Sequence, residues 1–253
     1  KKASMKQQWR ETRFRLAWPE AEGAMSQALL MRYDRKRFPF DDILAEILQV
    51  PSLAEMHEVI LNLQRGLGRR NELLSDDNYL LRERLNKIPD DAPFYEQYRL
   101  FVEQELAMTL GERIAYTAHP TFRVHMHGTP SVSTWHRDID VTGRRDQVTV
   151  WIPLVDVGGS NSVWVESHYE RGDYAPISIR HGELLLFDSG GLMHGSVYNN
   201  SGVTRVSLDF RISSDQSDTS WMFNQILGLQ PKLLSPEPPK VTSKQLAMLA
   251  APQ

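Results

Sequence analysis

The sequence predicts an α+β fold in which helices come first and a β-sandwich or barrel follows. Two observations predict it. Apolar residues recur at helical spacing through the first hundred or so positions. From about Arg113, short runs of β-branched and aromatic residues alternate with Gly, Pro, Asn and Asp. Helices and strands segregated in this way pack most simply as one domain, with the N-terminal helices laid on one sheet. The 253 residues suffice to bury such a core.

The helical part spans residues 1–112. Ser52-Leu53-Ala54-Glu55 has the spacing of a capping box ahead of Met56, Val59, Ile60 and Leu63. Ser75-Asp76-Asp77 opens a second helix that carries Tyr79, Leu80, Leu81 and Leu85. Residues 92–110 form a third, with Tyr95, Tyr98, Phe101, Val102, Leu106 and Leu110 on its apolar side.

Residues 113–213 form the β part, with strands expected at 113–118, 121–127, 147–153, 161–166, 174–180, 183–188 and 204–213. Turn signals separate them, among them Gly158-Gly159-Ser160, Arg171-Gly172-Asp173 and Asn199-Asn200-Ser201-Gly202. The extension 214–253 holds a proline-rich connector at 234–240 and a short terminal helix at 242–250. There is no internal repeat.

Composition narrows the function. Lys plus Arg number 29 and Asp plus Glu 32, for a formal charge of -3, so no basic excess points to nucleic acid. No apolar run is long enough to span a bilayer and no secretory leader is evident, so the expectation is a soluble, cytoplasmic protein without membrane partners. With no cysteine, disulfides, thiolate metal sites and cysteine nucleophiles are excluded. A metal would have to be held by His, Asp or Glu. Oligomeric state is not readable.

Trp135-His136-Arg137-Asp138 carries a His-x-Asp pair. In an extended segment residues two apart point the same way, so His136 and Asp138 aim at one point and Arg137 aims away. A surface His beside a solvated Asp gives the same pair. His194 adds weight: it sits in Gly190-Gly191-Leu192-Met193-His194-Gly195, directly after the apolar run Leu184-Leu185-Leu186-Phe187. Two histidines and one carboxylate are the set that holds divalent iron on one face and leaves three positions open for oxygen chemistry. Eleven positions after His194 comes Arg205, with Ser207 two further on. By parity Val206, Leu208 and Phe210 form one face, and Arg205, Ser207, Asp209 and Arg211 the other. That polar face suits either solvent or a carboxylate gripped by the guanidinium fork.

These residues resemble a family. Thr121-Phe122-Arg123-Val124-His125, Trp135 to Asp140, Asn161 to His168, Gly182 to Asp188 and Thr204 to Arg211 stand in the order and spacing of the 2-oxoglutarate/Fe(II) oxygenase superfamily, on its phytanoyl-hydroxylase-like side. Within it, they are similar to the streptomycin-biosynthesis-protein-like oxygenases. The resemblance implies a double-stranded β-helix, or jelly roll. It implies that His136, Asp138 and His194 bind Fe(II), and that Arg205, with Ser207, binds the distal carboxylate of 2-oxoglutarate. It implies that O2 is consumed and a small polar metabolite of antibiotic-type biosynthesis is hydroxylated. Halogenating relatives lack the carboxylate ligand, and Asp138 is present. Desaturation or ring formation would use the same cofactors. A catalytically silent jelly-roll binding protein, and a cupin-type isomerase or metal hydrolase, are the competing readings.

No catalytic residue beyond the metal ligands is expected. Arg123, His125 and His127 share a strand face opposite Phe122, Val124 and Met126, and suit either the pocket or solvent. Thr149 and Trp151 share a face of another strand, and Ser133 and Thr134 form a loop ahead of the metal motif. All seven are candidates for contact with cosubstrate or substrate. His57, His119 and His181 are expected to be structural.

Overall fold

The computed structural model describes residues 13–17, 27–110, 113–215 and 219–227. Among the described residues, ten strands build two antiparallel sheets. In chain order they are β1 (Phe14–Leu16), β2 (Ala28–Arg32), β3 (Ala115–Tyr116), β4 (Thr121–His125), β5 (Val148–Pro153), β6 (Trp164–Val165), β7 (Ala175–Pro176), β8 (Glu183–Phe187), β9 (His194–Gly195) and β10 (Arg205–Ser213). The larger sheet runs β1-β2-β8-β5-β10-β3, with β4 pairing the first half of β10. The smaller runs β7-β6-β9.

The N-terminal part is less helical than its sequence pattern suggests. Ala28-Leu29-Leu30-Met31 is buried strand, paired with β8. A short apolar run has no period of its own, and this one is settled by the open edge of β8. Helix α1 (Phe40–Leu48) follows, buried through Phe40, Leu44 and Leu48. Helix α2 (Met56–Gly66) starts where expected, but no side chain caps it, so the Ser52 box does not form. In α3 (Ser75–Leu85) Tyr79 and Leu80 face solvent, and Asp77, Asn78 and Leu85 are buried instead. Asp77 accepts from the backbone N–H of Leu74 at 2.8 Å, and Asn78 takes the backbone N–H of Met126 at 2.8 Å. Polar bonding to the β part, absent from any apolar pattern, sets the face of this helix.

The third predicted helix holds. It runs from α4 (Pro93–Leu100) through a wide π-type turn (Phe101–Leu106) into α5 (Ala107–Leu110), and its expected apolar residues are buried. Its rings cover the larger sheet: Tyr98 meets Phe210 edge-on at 5.1 Å and Phe94 meets Phe122 at 5.1 Å. The Tyr98 hydroxyl donates to the carbonyl of Thr117 at 2.6 Å. The helices therefore lie on one sheet, as predicted.

Three predicted strands shrink, and 113–118 reduces to β3. Residues 161–166 reduce to β6, with a 3-10 turn at Gly159–Asn161 before it, and 174–180 reduce to β7. Helix α6 (Ile139–Thr142) follows the metal motif, and α7 (Ser220–Leu227) ends the described chain. The expected connector at 234–240 and helix at 242–250 lie outside the described residues. None of the described helices is long and apolar enough to cross a membrane.

Candidate metal centre

The site lies between the two sheets. The larger sheet contributes Arg123, Thr149, Trp151, Phe187, Arg205, Asp209 and Arg211; Ser133, His136, Val163, His194, Gly195 and Ser196 line the other side. Two glycines allow the metal loop to approach this closely. A Cβ on Gly191 would stand 2.2 Å from the Tyr169 ring, and one on Gly195 would stand 2.9 Å from that of Trp135. Either would force the loop apart.

His136, Asp138 and His194 converge, with one ligand atom from each and all of these within 4.8 Å of one another. His136 Nε2 is 3.3 Å and His194 Nε2 3.7 Å from Asp138 Oδ1. The route differs from the extended segment expected. The two histidines exchange backbone hydrogen bonds at 3.0 Å, as in a strand pair, but Asp138 already has helical angles (φ -62°, ψ -29°) at the start of α6. Arg137 points away, to Asp140 at 3.1 Å.

Both histidine tautomers are fixed. His136 Nδ1 lies 2.7 Å from the carbonyl of Thr134, and His194 Nδ1 lies 3.0 Å from that of Leu192. A carbonyl only accepts, so each Nδ1 carries a proton and each Nε2 faces the centre, where it can give its lone pair to a metal once it carries no proton. Burial pushes His194 down to about 4, with Asp138 opposing, so its ring is neutral. The hydrogen bond to Asp138 raises His136. Burial acts to raise the Asp138 carboxyl, but the His136 hydrogen bond, the Arg211 charge and the Ser189 hydrogen bond outweigh it and hold the group far below the usual carboxylate range. Asp138 Oδ2 accepts from Ser189 Oγ at 2.7 Å and from Arg211 Nη2 and Nε at 2.6 and 3.0 Å. Oδ1 faces the two Nε2 atoms.

Across the pocket, the polar face of β10 is interior, and the solvated alternative is overturned. Arg205, Ser207 and Asp209 are all buried, because the smaller sheet closes over them. Arg205 is 3% exposed. Among the described residues its one hydrogen bond goes to the carbonyl of Asn161 at 3.2 Å, and its Nε has no partner. Its guanidinium lies 5.7 Å from the ring centre of Trp151. The buried hydroxyl of Ser207 is also without a partner. Burial, with help from the Arg123 charge, pushes Arg205 down to about 9 against the pull of Asp209. A buried cation short of acceptors, beside a buried hydroxyl short of a partner, is a site for an anion.

The remaining candidates divide. Arg123 lines the pocket and donates to Asp209 at 3.0 Å. Thr149, Trp151 and Ser133 also line it. Thr134 does not; its carbonyl orients His136. His125 is buried on the interior face opposite Arg205 in the strand pairing, with Nε2 3.3 Å from the carbonyl of Thr129. His127 leaves the strand, which ends at His125, and takes the backbone N–H of Gly202 at 3.1 Å while its ring meets His57. It therefore does not share the face of Arg123 as expected. His57 is structural: its Nδ1 lies 2.9 Å from the hydroxyl of Thr204. Sequence reasoning gave no role to Arg211, Ser189 and Asp209, although the parity of β10 placed Arg211 and Asp209 beside Arg205.

Fold and site together define an antiparallel α+β protein with a two-histidine, one-carboxylate centre between its sheets. No protein-family model matches the chain. It is similar to streptomycin biosynthesis protein StrG of Streptomyces griseus, 28% identical over 194 residues, which cover 74% of this chain and 85% of that protein. That similarity bears out the resemblance to the streptomycin-biosynthesis-protein-like branch. AviO1 from Streptomyces viridochromogenes Tue57 aligns with a TM-score of 0.47 at 16% identity, over 74% of this chain and 90% of that one. EctD from S. alaskensis with bound Fe aligns with a TM-score of 0.46 at 14% identity, over 78% of this chain and 76% of that one. EvdMO1 aligns with a TM-score of 0.40 at 19% identity, over 50% of this chain, and the alignment spans only 34% of EvdMO1.

Proposed function

We propose that the chain is a non-haem Fe(II)/2-oxoglutarate-dependent oxygenase with a jelly-roll core, acting on a small polar metabolite of specialised biosynthesis. One observation carries this reading. His136 and His194 of the metal cluster line the same pocket as a buried, under-partnered Arg205, and the unpartnered Ser207 follows Arg205 on the same strand face. An isomerase or hydrolase on a similar fold needs the first feature and has no use for the second. The similarity to a streptomycin biosynthesis protein supports the metabolic setting.

The donor set fits the cofactor. Two neutral imidazole nitrogens and one carboxylate oxygen suit Fe(II), which with 2-oxoglutarate would supply oxygen activation at the expense of the cosubstrate, released as succinate and carbon dioxide. The chain supplies the rest. His136 and His194 present Nε2 lone pairs that their Nδ1 bonds hold in place, so little reorganisation is needed on metal entry. Arg205 offers a fork that matches the distal carboxylate of the cosubstrate, and Ser207 adds a hydroxyl donor. Trp151, Val163 and Phe187 exclude water from the wall between the two ends. Ser133 and Ser196 line the side opposite the larger sheet and would give a polar substrate hydrogen-bonding partners.

The test is release of succinate from 2-oxoglutarate by the purified protein with ferrous iron under air, over a panel of small polar metabolites. Substrate-stimulated succinate in equimolar amount with an oxidised product supports the proposal. Its absence across the panel, with cosubstrate bound, would favour a silent binding protein. Whether the product is an alcohol, an alkene or a ring follows from its mass.

A further inference from the structure

We propose that Arg211 is the positioning residue that makes Asp138 a one-oxygen metal ligand; the inference rests on His136, Asp138 and His194 binding a divalent metal. Arg211 is locked on two edges. Nη2 and Nε both donate to Asp138 Oδ2, at 2.6 and 3.0 Å, while Nη1 donates to Asp209 Oδ1 at 2.6 Å. Asp209 is held from its other oxygen by Arg123 Nε at 3.0 Å. The guanidinium therefore cannot turn without breaking two buried carboxylate contacts.

Oδ2 also takes the Ser189 hydroxyl at 2.7 Å. A carboxylate oxygen has two lone pairs, so donors from Ser189 and Arg211 leave Oδ2 nothing for a metal. Oδ1 is turned to Nε2 of His136 and Nε2 of His194. One oxygen and two nitrogens leave three positions of an octahedron open, and a two-oxygen Asp138 would leave two. A one-oxygen Asp138 would therefore leave the metal room for a cosubstrate bound through two atoms with one position to spare.

Electrostatics alone argues the opposite way about Arg211. A fixed cation beside a dication site repels the metal, so a bystander guanidinium should weaken binding and its removal should tighten it. Positioning predicts the reverse: loss of Arg211 leaves Oδ2 with only the hydroxyls of Ser189 and Thr149, releases the lone pair that Arg211 held, changes the coordination and weakens binding, as removal of groups that orient metal ligands commonly does.

The experiment titrates the metal-free protein with Co(II), which reports coordination number in its visible absorption. The chain has no cysteine, so no thiolate band intrudes. Arg211→Met and Arg211→Lys are compared with the parent, and His194→Ala tests the metal site itself. The proposal expects Arg211→Met to bind Co(II) about ten- to a hundredfold more weakly, with the weaker absorption of a higher coordination number. Arg211→Lys should recover part of the affinity and leave the spectrum altered, because an ammonium cannot span both carboxylates. If far-ultraviolet circular dichroism shows Arg211→Met unfolded, the lysine variant decides. A parental spectrum with equal or tighter binding in the folded variant would overturn the role of Arg211. Equal Co(II) binding by parent and His194→Ala would instead overturn the metal site, and this inference with it.

Discussion

The two ends of the pocket differ in how far the protein satisfies its own polar atoms. At the His194 end, both Nδ1 atoms and Asp138 Oδ2 have partners, and the atoms facing the centre are the two Nε2 atoms and Asp138 Oδ1. At the Arg205 end, Nε of Arg205 and the hydroxyl of Ser207 have none. Buried polar groups are ordinarily satisfied, so the contrast separates an end arranged in advance of its ligand from an end whose bonding is completed by one. A metal needs fixed geometry; a flexible dicarboxylate needs a charge and donors.

The largest effect should come from the finished end. Asp138→Ala or His194→Ala should reduce iron-dependent turnover to background and remove tight divalent metal binding while leaving the circular dichroism unchanged. Full activity in a purified Asp138→Ala protein would break the comparison at its first term.

At the other end, Arg205→Ala strands the cosubstrate carboxylate, and an unpaired buried charge costs about 3–5 kcal/mol. Affinity for 2-oxoglutarate should then fall by about two to three orders of magnitude or more. Lysine should restore only part of it, through loss of the fork. The comparison adds a sharper expectation. Arg205 is a buried cation with no carboxylate bonded to it, so Arg205→Met should leave the ligand-free protein at least as stable in thermal unfolding. Marked destabilisation would mean that Arg205 serves the fold.

Ser207→Ala comes next. A hydrogen bond to a charged group contributes about 1.5–3 kcal/mol, so cosubstrate affinity should fall by roughly ten- to a hundredfold, as measured by titration. Stability should not fall, because the hydroxyl has no partner to lose.

Smallest at the pocket, and confined to stability, is Tyr98→Phe. It removes the hydroxyl bond to Thr117 and should cost about 1 kcal/mol in denaturant unfolding, with metal affinity unchanged. Altered metal binding would tie the helix layer to the site.

The same contrast explains what the sequence could reveal. Ligands that need only proximity in the chain or a strand parity were legible: the His-x-Asp pair, a His in a glycine bend, and Arg205 with Ser207 on one face. Whether that face met solvent was not, since alternation says which residues go together and leaves open what covers them. Arg211 stood on the right face, but its contact with Asp138 crosses 73 positions and leaves no local trace. The apolar run at β2 had no period to separate strand from helix, and the buried face of the helix that carries Tyr79 and Leu80 was not legible because Asn78 and Asp77, the residues that set it, are polar.

The central claim is that one pocket holds ferrous iron at one end and 2-oxoglutarate at the other. The most direct measurement is an anaerobic titration of the ferrous protein with 2-oxoglutarate, followed by the visible metal-to-ligand charge-transfer absorption. The account predicts a saturable band in the parent protein, its loss in His194→Ala, and its recovery in Arg205→Ala only at about a hundredfold more cosubstrate or beyond. No band in the iron-loaded parent at saturating 2-oxoglutarate, or a parental titration in Arg205→Ala, would contradict it.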